Sequence, residues 1–132
     1  MQEHVLIIGR LHFQVSGQGP YFGQRVWFTN YHPEKIPSAV ERYGNEIKRV
    51  LTVMDSHLKK TGSQYLVGDK YTYADLSFIP WNVLLPMAMG QDFLSEIEKE
   101  LPSYWAWWER VSSRPASKKI IKDREDAIAK AH

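Results

Sequence analysis

Between Ile36 and Leu58, apolar side chains fall at Val40, Tyr43, Ile47, Val50, Leu51, Met54 and Leu58. That is the three-and-four spacing of a helix with one buried face. Pro37 stands where a first-turn proline is tolerated, and Gly62 lies just beyond the end as a stop signal. The run from Leu76 to Leu85 is apolar nearly all round, which predicts a central helix buried on every side and kinked at Pro80. Ahead of it, Thr72 and Asp75 have the spacing of a capping box. There the threonine oxygen takes a first-turn amide while the carboxylate reaches back to the N-cap amide. Tyr71 and Leu76 are placed to close a hydrophobic staple. Pro102 opens another helix with Leu101, Trp105, Trp108 and Val111 along one side. Pro115 opens the last, with Ala116, Ile120, Ala127, Ile128 and Ala131 facing inward. The N-terminal third is the least regular. His12 to Tyr31 reads as a helix that bends around Ser16 to Pro20 and resumes through Trp27 and Phe28, while Val5 to Ile8 fits a short strand or a helix start. Together these elements predict an all-α helical bundle with a capped, buried central helix.

Composition narrows the class. The chain has 132 residues, 43% of them hydrophobic and 24% charged, which suits one ordinary globular domain. With no cysteine there is no disulfide framework, no thiolate nucleophile and no zinc-thiolate site. The longest apolar stretch, Ile79 to Met89, is too short to cross a bilayer and is broken by Pro80, Asn82 and Pro86. The first twelve residues carry Glu3 and lack a signal-peptide pattern. The expectation is a soluble, cytoplasmic domain with no membrane partner. Seventeen basic against 15 acidic residues give +2, too small a charge for a nucleic-acid footprint. Arg110, Arg114, Lys118 and Lys122 recur every four residues, with Lys119 and Arg124 beside them. Such a stripe is either a solvated helix face that complements the C-terminal dipole or a patch for phosphate or an acidic partner.

The side-chain chemistry is incomplete. His4, His12, His32, His57 and His132 show no metal-ligand spacing, so no metal is expected. Asp55, Ser56 and His57 are consecutive on a helix and must fan apart, which excludes a triad. Gly17, Gly19 and Gly23 lack the lysine and hydroxyl pair of a phosphate loop. No catalytic residue emerges from the sequence.

Four stretches carry a resemblance. Gly68 to Trp81 resembles the capping-box segment of the glutathione transferase C-terminal domain, and so does Trp105 to Ala116 with its Ser-Arg-Pro-Ala ending. Phe13 to Gln24 and Ile36 to Tyr43 resemble a fungal and bacterial branch of that family. The branch includes the yeast prion-forming nitrogen regulator and the Nu-class disulfide reductases. Residues 1 to 10 match nothing in the pattern and read as an unmatched leader, with the helical domain spanning 11 to 132. The family's N-terminal thioredoxin-like domain, which stabilises the glutathione thiolate, has no counterpart in the sequence.

The resemblance implies a domain that supplies the hydrophobic-substrate wall and dimer contacts for glutathione conjugation or disulfide reduction, glutathione being the co-substrate. It implies a homodimer or other self-association, and a thioredoxin-like domain in cis or in trans; without one the chain is expected to be inactive. Gln14, Ser16, Tyr21, Phe22 and Trp27 are candidates for the wall, the alternative for each being a packing residue. Arg42 matches an arginine that reaches glutathione from the neighbouring subunit; the alternative is that it pairs with Glu46 one turn on. The rival to the transferase reading is a stand-alone helical module for protein interaction or regulation.

Overall fold

The computed structural model describes residues 1–131; His132 lies outside the described residues. Among them the chain is helical, with no strand, and Val5 to Ile8 belong to a helix. Residues 2 to 31 form one long path: α1 (Gln2–Phe13), a π-helical turn (Gln14–Gln18), α2 (Gly19–Val26) and a second π-helical turn (Trp27–Tyr31). Gln18, Phe22 and Val26 are buried at intervals of four, and Gln14, one interval earlier, is half-buried. That spacing outruns the 3.6-residue turn of an α-helix, and the wide turns take up the difference. The first also precedes Pro20, which has no amide hydrogen to continue the ladder. α1 runs through Leu11, and of residues 1 to 10 Ile7 is buried, against Val67 and Ala74.

The remaining helices are α3 (Pro37–Thr61), α4 (Tyr73–Asn82), α5 (Leu85–Met89), α6 (Asp92–Glu100), α7 (Pro102–Ser112) and α8 (Pro115–Lys130). α3 begins on Pro37 and ends where Gly62, at φ 64°, gives its amide to the Leu58 carbonyl at 2.9 Å. Its stripe of Ile47, Val50, Leu51, Met54 and Leu58 meets Phe22, Phe78, Leu85, Tyr104 and Trp107 in the main core. α4 is the central element, with α1 and the first π turn on one side and α7 on the other.

Three expected faces are corrected. α4 is not buried on every side: Tyr73, Leu76 and Pro80 form an exposed edge, with Leu76 44% accessible. Tyr71 accordingly leaves the staple position and packs on Tyr65 and beneath the Arg114 guanidinium, 3.9 Å from its ring centre. On α7 the inward side chains are Tyr104, Trp107 and Val111, whereas Trp105 and Trp108 are half-buried. Asp55 of α3 accepts the Tyr104 amide at 2.9 Å and Asp75 accepts the Trp107 indole at 2.8 Å, which fixes that rotation. On α8, Ser117 is buried and Ile121 and Arg124 are half-buried, while Ala116, Ile120 and Ala127 face solvent.

Candidate functional site

The helix path 2–31 leaves a notch on its outer side. Gly19 and Gly23 stand one turn apart on α2, and Trp81 of α4 lies across both. A Cβ at Gly19 would come within 3.3 Å of the Trp81 indole nitrogen, and one at Gly23 within 3.3 Å of the far edge of the ring. Gln14, Val15, Pro20 and Gln24 complete a groove of about 460 Å³. Apolar walls with a few polar groups are the usual make-up of a small-molecule site.

Behind the groove sits a buried amide relay. Gln14 Nε2 donates to Gln18 Oε1 at 3.3 Å, and Gln18 Nε2 donates to Asn82 Oδ1 at 2.9 Å and to the Phe78 carbonyl at 3.3 Å. The relay holds the Gln14 side chain at the mouth of the groove and ties the π turn to α4.

The five wall candidates separate. Gln14 lines the groove. Phe22 is fully buried in the core, so it cannot face a ligand in the open notch. Ser16 is exposed and donates its hydroxyl to the His12 carbonyl at 2.6 Å. Tyr21 leans on Tyr43, with ring centres 6.2 Å apart. Trp27, 48% exposed, stacks on Tyr31 within the second π turn. Trp81 is the residue that reasoning from the helix spacing missed. Its signal was the glycine pair opposite, since two glycines at i and i+4 admit a large ring against the backbone.

Arg42 is exposed on α3, its guanidinium carbon 5.9 Å from the Tyr43 ring centre. The alternative partner Glu46 is taken by Arg49 at 2.9 Å. Tyr43 continues through Phe28 to His32 in a stacked aromatic row. Arg25, the lone charge between Gln14 and Phe28, is spent on structure. It donates to the Ala88 carbonyl at 2.8 Å and to the Val40 carbonyl, and burial lowers its pKa. Gly44 leaves room for it, as a Cβ there would lie 2.9 Å from the guanidinium.

The capping box is formed. Thr72 Oγ1 accepts the Ala74 amide at 3.2 Å, and Asp75 Oδ2 accepts the Thr72 amide at 3.0 Å. Asp75 Oδ1 also accepts the Leu66 amide at 3.0 Å and the Trp107 indole, so the carboxylate holds the interior together and is closed to chemistry.

Asp55, Ser56 and His57 part company. His57 accepts from Arg10 at Nδ1 (3.1 Å) and meets the Leu66 carbonyl through Nε2 (2.9 Å), and Ser56 is exposed. Half of the basic stripe is also engaged: Arg110 donates to the Gln64 carbonyl at 2.5 Å and Arg114 covers Tyr71. Among the described residues no cluster of three His, Cys, Asp or Glu is placed to hold a metal. Nor is any helix among them long and apolar enough to cross a membrane.

Comparison with known proteins gives a consistent result. Residues 24–124 match the family described as glutathione S-transferase, C-terminal domain. Glutathione S-transferase 1 of Schizosaccharomyces pombe is 42% identical over 134 residues, covering 96% of this chain and 58% of that protein. The crystal structure of glutathione transferase URE2P6 from Phanerochaete chrysosporium in complex with oxidized glutathione aligns with a TM-score of 0.84 at 45% identity. It covers 96% of this chain and 56% of the other. Ure2p5 from the same fungus, cocrystallized with 1-(S-glutathionyl)-2,4-dinitrobenzene, gives 0.89 at 38% identity and takes in 100% of this chain, residues 1 to 10 included. It is matched over 60% of its own length, so this chain spans little more than half of each of these relatives.

Proposed function

This chain belongs to the glutathione S-transferase family, as its C-terminal helical domain, and from that premise we propose that it supplies the wall of the electrophile subsite in a glutathione-dependent transferase. The observation that carries the reading is the groove between Trp81 and the Gly19–Gly23 face. It is apolar, open on one side and wide enough for a substituted aryl ring. Gln14 stands at its mouth as the polar group that orients a ligand.

In this reading the nucleophile is the thiolate of glutathione, held by a thioredoxin-like domain in cis or in trans. The groove takes the electrophile, either an aryl halide or the apolar part of a disulfide. Burying the ring against Trp81 sets the attacked atom at the groove's open side, so the helical half contributes orientation and no charge stabilisation. Arg42 reaches glutathione from a second copy of the chain, a guanidinium being suited to bidentate capture of a carboxylate. The exposed edge of Tyr73, Leu76 and Pro80 takes the thioredoxin-like domain, and uncovered it favours self-association. The assembly acts in the cytoplasm as a homodimer.

A fluorescence titration tests the groove. The dinitrophenyl group of 1-(S-glutathionyl)-2,4-dinitrobenzene quenches nearby indoles, and the chain has tryptophans at 27, 81, 105, 107 and 108. Trp81→Phe is expected to remove most of the saturable quench, and Trp27→Phe little of it. The opposite pattern places the ligand at the far end of α2 and overturns the assignment.

A further inference from the structure

Inside the Trp81 groove, two N–H donors converge on the backbone of Gly19. A Cβ built there would stand 3.3 Å from Trp81 Nε1 and 3.6 Å from Gln14 Nε2. Both nitrogens therefore border one spot, and the glycine keeps it free of a side chain.

The relay decides which end of the Gln14 amide lies at that spot. The Phe78 carbonyl can only accept, so the Gln18 atom against it is the nitrogen. Gln18 then turns its oxygen to Gln14, and the Gln14 atom that meets it at 3.3 Å is the nitrogen. That bond takes one of the two Gln14 amide hydrogens and leaves the other. Trp81 Nε1 can only donate; it has no hydrogen-bond partner among the described residues and is open to solvent. No charged side chain lines the groove. A carboxylate entering it would lose water and gain no cation, whereas a neutral carbonyl oxygen loses less and gains two donors.

We propose that the groove selects neutral aromatic carbonyl compounds: the oxygen takes the Trp81 indole hydrogen and the free Gln14 amide hydrogen, and the ring lies against Trp81 and Pro20. The inference rests on the reading of this groove as the electrophile subsite and narrows it to electrophiles whose ring carries a carbonyl. A ring of the same shape without the acceptor leaves both donors facing apolar surface, and a site built to hydrogen-bond its ligand discriminates on that difference. Gly19 sets the specificity together with Trp81 and Gln14, because any side chain there occupies the space between the two donors.

NMR titration of the full chain with acetophenone, followed at the tryptophan indole N–H signals, tests the proposal. Trp81→Phe identifies the Trp81 signal by removing it. That signal is expected to move downfield and saturate with acetophenone. α-Methylstyrene keeps the shape and replaces the oxygen with a methylene; it is expected to bind about tenfold more weakly. In Trp81→Phe and in Gly19→Ala the ratio of the two affinities should fall to about twofold or less. Ile120→Glu, on the exposed face of α8, should change neither affinity. No saturable binding of acetophenone overturns the proposal. So does equal affinity for the two probes, a Trp81 signal that moves alike with both, or a ratio that survives both substitutions. Failure of the electrophile reading shows elsewhere, as quenching by the dinitrophenyl conjugate that Trp81→Phe leaves intact.

Discussion

At Asp75 one carboxylate, inaccessible to solvent, receives the Thr72 and Leu66 amides and the Trp107 indole. Removing it strands two buried donors, at about 1–3 kcal/mol each, and the half-buried Thr72 amide, so Asp75→Ala is expected to cost at least about 2 kcal/mol in a chemical denaturation experiment. Thr72→Ala removes only the cap oxygen and should cost about 0.5–2 kcal/mol. The spacing of Thr72 and Asp75 made the cap legible from sequence. The bonds to Leu66 and Trp107 were not, because they join residues 9 and 32 positions apart. His57 was equally opaque. Burial, then the nearby Arg10 charge, lowers its pKa from the ordinary 6.5, against a raising contribution from the Leu66 carbonyl. Unfolded chains then bind more protons than folded ones below about pH 6.5. His57 should therefore cost stability progressively as pH falls from there through its folded pKa. A His57→Gln variant should show a flatter dependence of denaturation midpoint on pH between about 5 and 7. A slope identical to that of the parent would remove His57 from this account.

Among the elements, α3 could be read in advance because twenty-five residues of regular spacing average out local exceptions. α7 and α8 could not. Each has apolar residues on more than one side, so several stripes fit the periodicity, and partners elsewhere in the chain choose between them. On α8 the choice falls on Ser117 and Ile121, which leaves Ile120 52% exposed. Ile120→Glu should accordingly change stability by no more than about 0.5 kcal/mol. Ile121→Glu should cost about 1–3 kcal/mol, because it pushes a charge against Trp108 and Leu94. Thermal melts of the two variants separate these outcomes; equal shifts would mean that α8 is turned differently. The N-terminal path posed another difficulty. Glycines and Pro20 signalled a bend, but a π turn keeps the chain helical and alters only its pitch, and no residue pattern distinguishes that from a break.

For the whole molecule, the four motifs placed the chain in its family, while the groove required the fold. Gln14 was within reach of helix spacing, but Trp81 stands 62 positions from Gly19 and faces it only once α2 and α4 have packed. The central claim is that this helical half positions an electrophile in that groove and leaves thiolate activation to another domain. It is tested most directly by joining the chain in frame to the N-terminal half of Schizosaccharomyces pombe glutathione S-transferase 1, its 42% identical relative. The initial rate of glutathione conjugation to 1-chloro-2,4-dinitrobenzene is then measured for the chimera, its Gly23→Leu variant and the isolated chain. The chimera is expected to be active, with a KM for the aryl halide raised about tenfold by Gly23→Leu and an unchanged KM for glutathione, and the isolated chain is expected to show no rate above background. Conjugation by the isolated chain, or a chimera whose aryl-halide KM ignores Gly23→Leu, would contradict it.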